Sequence, residues 1–343
     1  MKRRLSIICV CLSLLFLITA AISAVTFAAD KPIKWRYAIM IPRGLGWSKV
    51  YDMFPEKVRA MSGGRLQIQS VFDGEGVIET AIFPALKSGM IEMGTPYPGV
   101  YANELPAGIV EMGLPGGPES FSELLALFEL SGWKDILRKA YAKHNVYWLG
   151  EYFQPKVYVL TKKPIKSLDD FKKLKVRAPG AYGTVLRNVG ASPVIMSYSE
   201  IYTGLATGVV NGVTGGTLID DRDSKFYEVA PYIYPLPLTG AQIMPLAVNL
   251  NEWNKLPDDL KEILKTAASW FGQLQMAYSV VWEKEALQDM LSKGAKMSPE
   301  PSDSDKAKWK EAGMKVWKDF ETKDEFCREM IKIQREFVKK LGY

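Results

Sequence analysis

The chain has 343 residues, 48% of them apolar and 24% charged, with a formal charge of +6. That balance is too modest to argue for nucleic acid, and it leaves apolar material for more than one core. Three cysteines and one histidine leave little for a disulfide framework or a histidine-based metal centre.

Lys2-Arg3-Arg4 precede an apolar run from Leu5 to Ile22 and the small residues around Thr26-Phe27-Ala28. Residues 1–28 therefore read as a secretory signal cleaved after Ala28 or Ala29, with an uncleaved anchor as the alternative. Its removal takes away the three charges of Lys2, Arg3 and Arg4, leaving +3, and makes Cys327 the single remaining cysteine. No intramolecular disulfide can then form, even in an oxidising compartment. A mature chain of about 315 residues exceeds the size at which one core splits, so two lobes are expected.

Lys34 to Ile39 alternates like a strand, Trp47 to Met61 has helical spacing closed by Gly63-Gly64, and Leu66 to Phe72 alternates again. This is the β-α-β unit of a parallel sheet. Glu75 to Lys87 follows as a helix that Pro84 would kink, then Gly89 as a stop and Met90 to Met93 as a strand. Leu86-Lys87-Ser88-Gly89-Met90-Ile91-Glu92 is echoed by Leu205-Ala206-Thr207-Gly208-Val209-Val210-Asn211. Each copy is a helix ended by glycine and turned at once into a strand, as two lobes of similar build would require.

Ser120 to Ala142 reads as a helix that Gly132 can break, and Val146 to Leu149 and Lys156 to Leu160 as strands. Gly150 to Pro155, between them, is taken as the first crossing between lobes, and Leu238 to Met244 as another. Together these place lobe I at residues 29–150 with 244–270 returning, and lobe II at 151–243. A helical pattern runs over 257–293, roughly 55 Å at 1.5 Å per residue, long enough to brace both lobes. Two amphipathic helices within 303–343 end the chain with a basic, solvated face.

In the second lobe, Ser167-Leu168-Asp169-Asp170 caps a short helix that feeds the strand Lys175-Val176-Arg177. Pro179 and Gly180 then turn the chain, so Arg177 stands at a strand end, where a rigid guanidinium suits a planar carboxylate. A surface arginine paired with a neighbouring acid is the bland alternative. Tyr182 to Asn188 follows as a helix, Ser192 to Met196 as a short strand, and Ser197-Tyr198-Ser199-Glu200 as the box capping the next helix.

Met196-Ser197-Tyr198-Ser199-Glu200-Ile201-Tyr202, Leu205 to Gly212, Phe226-Tyr227-Glu228-Val229-Ala230, Asn249 followed by Trp253, and Leu256-Pro257 together resemble one family. It is the DctP-type extracytoplasmic solute receptors of TRAP transporters. Lys175 to Gly180 matches that family's Lys-(Ile/Val)-Arg-x-Pro-Gly motif, and Ala85 to Gly89 and Leu114-Pro115 fit as well. The resemblance implies an α/β, two-lobed, periplasmic-binding-protein-like fold with crossing strands and a long helix bracing both lobes. It implies a periplasmic receptor, not an enzyme, that delivers a small organic acid to the small and large membrane subunits of a TRAP transporter. Arg177 would grip the ligand carboxylate, no cofactor is expected, and nucleic acid is not a partner.

Dicarboxylate-type members read Asp-Gly-x-Glu-Asn-Pro where this chain reads Asn211-Gly212-Val213-Thr214-Gly215-Gly216. That argues against a C4-dicarboxylate, and the missing carboxylate at Gly215 argues against a bound metal. The expected ligand is a bulkier monocarboxylate, aromatic or branched, in a cleft given room by the two glycines. The residues expected to line it are Arg177, Gln154, Tyr152, Met196, Thr214, Gly215, Tyr97 and Trp47.

Two rival readings are weaker. An enzyme would need a motif, yet His144 sits at a helix end, as a surface residue would, and no metalloprotease, nucleophile-elbow or phosphate-loop pattern occurs. Asp220-Asp221 resembles an acid pair, but adjacent acids are ordinarily solvated. A periplasmic scaffold without a small ligand would use Trp309, Trp317 and the C-terminal helices, although aromatics at helical spacing are usually core.

Overall fold

The computed structural model describes residues 31–196 and 198–342. The secretory segment and Ser197 of the capping box lie outside the described residues. In chain order the strands are β1 (Ile33–Pro42), β2 (Leu66–Asp73), β3 (Met93–Gly94), β4 (Val146–Gln154), β5 (Leu160–Thr161), β6 (Lys175–Arg177), β7 (Ser192–Val194), β8 (Gly212–Val213), β9 (Tyr232–Ile233), β10 (Gln242–Asn249) and β11 (Lys296–Met297). They make two sheets, ordered β2-β1-β3-β10-β4 and β11-β9-β5-β8-β6-β7. In the first, β1 runs parallel to β2 and β3 while β10 is antiparallel to β3 and β4. In the second, β6 runs parallel to β7 and β8, and β5 is antiparallel to β8 and β9.

The echo between the two copies of Leu-x-Ser/Thr-Gly is structural. Gly89 and Gly208 both close a short helix in the left-handed region, at φ 76° and 80°, where a side chain would be strained. Each chain then enters a two-residue central strand, β3 in one sheet and β8 in the other.

The 35-residue helix Asp258–Ser292 covers β4 and the helix Ser48–Met61 of the first sheet, and the helix Leu218–Asp223 of the second. Close approach explains two glycines here. A Cβ on Gly150 would come within 3.1 Å of the Ala268 methyl, and one on Gly272 within 2.7 Å of the Glu151 carbonyl. The stretch expected as the first crossing, Gly150 to Pro155, falls on the last residues of β4 and the one after it. Gly150 lies under the long helix and beside a pairing irregularity between β4 and β10, where Leu149 has no register partner; β4 continues to Gln154 and the chain leaves the sheet at Pro155.

Three further elements differ from expectation. Residues 75–78 are not helical because Gly74 and Gly76 hold positive φ, and a short 3-10 turn Glu79–Ala81 leads into the helix Ile82–Ser88 instead. Pro84 falls in that helix's first turn, where its missing N–H costs little. Gly132, at φ 84°, splits the expected long helix into Phe121–Leu130 and Trp133–Ala142. The strand at Met90 to Met93 shrinks to β3 because Gly89 first redirects the chain.

The C-terminal helices Asp303–Glu321 and Glu325–Lys340 also join the lobes. The first packs on Gly180–Asn188 and sends the Trp317 indole N–H to the Pro115 carbonyl at 2.7 Å, while the second packs on Ala107–Glu111 and Trp133–Ala142. Trp309 and Trp317 are buried, so they offer no free aromatic face to a partner. Burial likewise holds the Cys327 thiol protonated by raising its pKa. Among the described residues no helix is long and apolar enough to cross a membrane.

Candidate functional site

Arg177 ends β6 between Val194 of β7 and Val213 of β8, at the carboxyl edge of three parallel strands, where open α/β sheets present ligands. Its own carbonyl accepts the Thr214 N–H at 2.8 Å, fixing the backbone. The guanidinium is fixed as well: Nε donates to the Met196 carbonyl at 3.2 Å and Nη1 to the Thr214 carbonyl at 2.8 Å. Two neutral acceptors orient the fork without neutralising it, and the remaining N–H groups stay available to an anion.

Arg177 faces a cavity of about 450 Å³ between the sheets. The second-lobe wall carries Arg177, Pro179, Tyr182, Tyr198, Thr214, Gly215 and Asp220; the first-lobe wall carries Met40, Pro42, Asp73, Glu79, Tyr97, Gln154, Gln242 and Met244. A larger groove of about 670 Å³, lined by Lys34, Arg36, Arg59 and Glu92, lies on the outer flank of β1 and β2. It is open surface on which Arg36 already pairs with Glu92, whereas the interlobe cavity combines apolar walls with a few converging polar groups.

The lobes touch across this cavity. The Gly46 N–H donates to Asp223 Oδ2 at 2.8 Å, and the Gln242 amide donates to the Tyr182 hydroxyl. Gln242 is the register partner of Gln154, so β10 and β4 bring two amides to the same end of the first sheet.

Of the residues expected to line the cleft, Arg177, Gln154, Thr214, Gly215 and Tyr97 do so. Met196 contributes through its carbonyl, which anchors Arg177 from outside the cavity lining. Tyr152 and Trp47 are not on the lining. Tyr152 lies two residues earlier on β4 than Gln154 and hence roughly 6–7 Å deeper. It is fully buried, edge-on to Tyr51 with ring centres 5.6 Å apart, and its hydroxyl touches the sulfur of Met40, which does face the cavity. Trp47 is drawn away by the long helix, its ring packed 5.3 Å from Trp282.

The glycine wall has a different cause from the one expected. A Cβ on Gly215 would point into the protein, 2.3 Å from Asp221 Oδ1 and 2.7 Å from the Phe226 ring. Gly215 is thus required by what lies behind it. Asp220 and Asp221 are buried rather than solvated: Thr217 and Asp220 form the capping box of Leu218–Asp223, which turns Asp221 inward. Burial pushes Asp220 up to about 6 against its hydrogen bonds from Thr217. Burial, with the charge of Asp220 beside it, pushes the Asp221 carboxyl well above the usual carboxylate range, and neither of its oxygens has a hydrogen-bond partner.

Asp73, Glu79, Tyr182, Tyr198, Gln242 and Met244 line the cavity without having been singled out. One signal was available: β2 is parallel to β1, so the residues after Asp73 leave a carboxyl edge, where ligands bind. His144 is half-buried at a helix end near Glu104 and is not part of the cavity lining.

The chain matches DctP, the bacterial extracellular solute-binding protein family 7, over residues 42–324. It is 28% identical over 277 residues to the monocarboxylate 2-oxoacid-binding periplasmic protein of a Nostoc species, covering 78% of this chain and 74% of that one. Among solved structures it resembles a TRAP periplasmic solute-binding protein from Colwellia psychrerythraea with bound calcium and pyruvate, at a TM-score of 0.83 and 23% identity over 91% of this chain and 96% of that one. A counterpart from Pseudoalteromonas atlantica with bound sodium and pyruvate gives a TM-score of 0.82 at 22% identity, over 91% and 95% of the two chains.

Proposed function

This chain belongs to the DctP family of bacterial extracellular solute-binding proteins, and from that premise we propose that it carries a monocarboxylate in the interlobe cavity, with Arg177 holding the carboxylate. As a member of the family it is a TRAP-type solute receptor, not an enzyme. The observation that carries the ligand reading is the Arg177 guanidinium, tied to two backbone carbonyls at the cavity wall with donors to spare. A fork already fixed before the ligand arrives binds a carboxylate with little further ordering cost.

The cavity favours more than a three-carbon acid. At about 450 Å³ it would leave a small acid surrounded by water, and its Met40, Ile41, Leu45 and Met244 lining suits a branched or aromatic body. The Nostoc relative is named for monocarboxylate 2-oxoacids, which agrees in class. The Colwellia protein holds calcium and pyruvate, but the residues here do not suit a metal ion. Gly215 brings no carboxylate, Asp220 is engaged by Thr217, and among the described residues no three His, Cys, Asp or Glu side chains converge. We therefore read direct capture by Arg177 rather than capture through a metal.

Export through residues 1–28 and delivery to small and large membrane subunits belong to the same proposal. Mass spectrometry of the molecule released from natively purified protein tests it. A monocarboxylic acid is expected; a ligand without a carboxyl group would overturn the reading.

A further inference from the structure

Among the described residues, Arg177 is the one cationic side chain on the cavity wall, while Asp73, Glu79 and Asp220 are acids. Two of these acids are already engaged: Asp73 accepts the Glu79 N–H at 2.8 Å, and Asp220 accepts the Thr217 N–H and hydroxyl at 2.9 and 2.8 Å. The Glu79 carboxylate has no hydrogen bond or ion pair to any described group. It opens the short turn after β2, on the wall opposite the one that carries Arg177.

A half-buried carboxylate that loses water when a ligand fills the cavity must be satisfied by that ligand, take up a proton or bear the full desolvation cost. A plain anion makes matters worse, adding negative charge to a cavity that already holds three acids. A ligand with a protonated amine resolves both problems, since its N–H groups meet Glu79 while its carboxylate meets Arg177. We propose that Glu79 determines specificity by receiving a cationic amino group, so that the ligand is a zwitterionic amino monocarboxylate. This rests on the reading that Arg177 takes the carboxylate. Burial, with the neighbouring Asp73, raises Glu79 to about 7 against the opposing pull of Arg177, and an ammonium bound beside it would favour its charged form.

The test is calorimetry on ligand-stripped protein with matched probes: leucine against isocaproate, and δ-aminovalerate against valerate. One charge-assisted contact predicts that the better amine-bearing probe binds the wild type at least about tenfold tighter than its amine-free partner. Glu79→Gln should bring the two within about threefold of each other, because the amide cannot pair with an ammonium. Melting curves without ligand check that each variant folds, and Glu79→Ala stands in if the glutamine variant does not.

Equal or tighter binding of the amine-free acids by wild type would overturn the proposal. So would a preference that survives both Glu79 substitutions, or no binding of any of the four probes. Arg177→Ala separates the two readings: it should weaken both members of a pair alike. Unchanged affinities there would overturn carboxylate capture, whatever Glu79 does.

Discussion

On the second-lobe wall of the cleft, the cavity-lining guanidinium of Arg177 is tied to the Met196 and Thr214 carbonyls; on the first-lobe wall, the cavity-lining carboxylate of Glu79 is tied to nothing described. The two sheets have the same kind of build, down to the glycine-closed helix before β3 and before β8. They differ in how much of the site is settled before a ligand arrives. The second lobe offers a finished binding group, whereas the first offers an unmet need. A receptor so divided would capture the acid end of its ligand first and discriminate at the other end as the lobes meet.

The comparison breaks most visibly at Arg177. Two parallel charge-assisted hydrogen bonds in a water-poor cleft are each worth roughly 1.5–3 kcal/mol, so Arg177→Ala should weaken acid binding at least about a hundredfold. Arg177→Lys keeps the charge but cannot make the paired contact or satisfy both carbonyls, and should lose most of the same energy. Melting temperatures should fall by only a few degrees, the effect of removing the donors to the Met196 and Thr214 carbonyls, while affinity falls far more. Calorimetry of wild type and both variants with the co-purified acid decides it. Equal affinities would return Arg177 to the role of an ordinary surface cation.

A change behind the second-lobe wall should act on the fold before it acts on the ligand. Gly215→Ala places a methyl group against Asp221 and the Phe226 ring, both held by packing, and overpacking of this kind costs about 1–3 kcal/mol. The expected result is a melting temperature lowered by several degrees, with affinity falling less than in Arg177→Ala. An unchanged melting temperature would mean that Asp221 and Phe226 yield easily, and that the glycine serves the cleft after all.

The same contrast explains what the sequence disclosed. Arg177 was legible because local rules set it: a capped turn, a three-residue strand and a proline-glycine exit put one side chain at one edge, and the surrounding motif resembles a family. Glu79 was hidden because Gly74 and Gly76 replace the expected helix with a turn, and the face of a turn residue depends on tertiary context. Tyr152 was misplaced for a related reason. Aromatic residues near a cleft in chain order need not face it, and two positions along a strand separate the cavity wall from the layer beneath. Asp221 was misjudged because its burial follows from a capping box that rotates the helix, and composition alone predicts solvent for an acid pair. The long helix, by contrast, was evident from its length and period, which no tertiary contact could disguise.

The smallest expected effect lies at the far end of β8 from the cavity, three residues before Thr214. Asn211 precedes β8, and its backbone is already held: its N–H reaches the Lys175 carbonyl at 2.7 Å and its carbonyl accepts the Lys162 N–H at 3.0 Å. The side chain adds one acceptor, Oδ1, to the Lys175 N–H at 3.3 Å, and it is not part of the cavity lining. An aspartate can make that contact with a charged oxygen. Asn211→Asp should therefore change stability by no more than about 0.5 kcal/mol and leave acid affinity unaltered. A melting curve and one calorimetric titration suffice to check it. A loss of binding comparable to that of Arg177→Ala would mean that the ligand reaches past Thr214 to the start of β8, and the second-lobe wall would have to be redrawn to include Asn211.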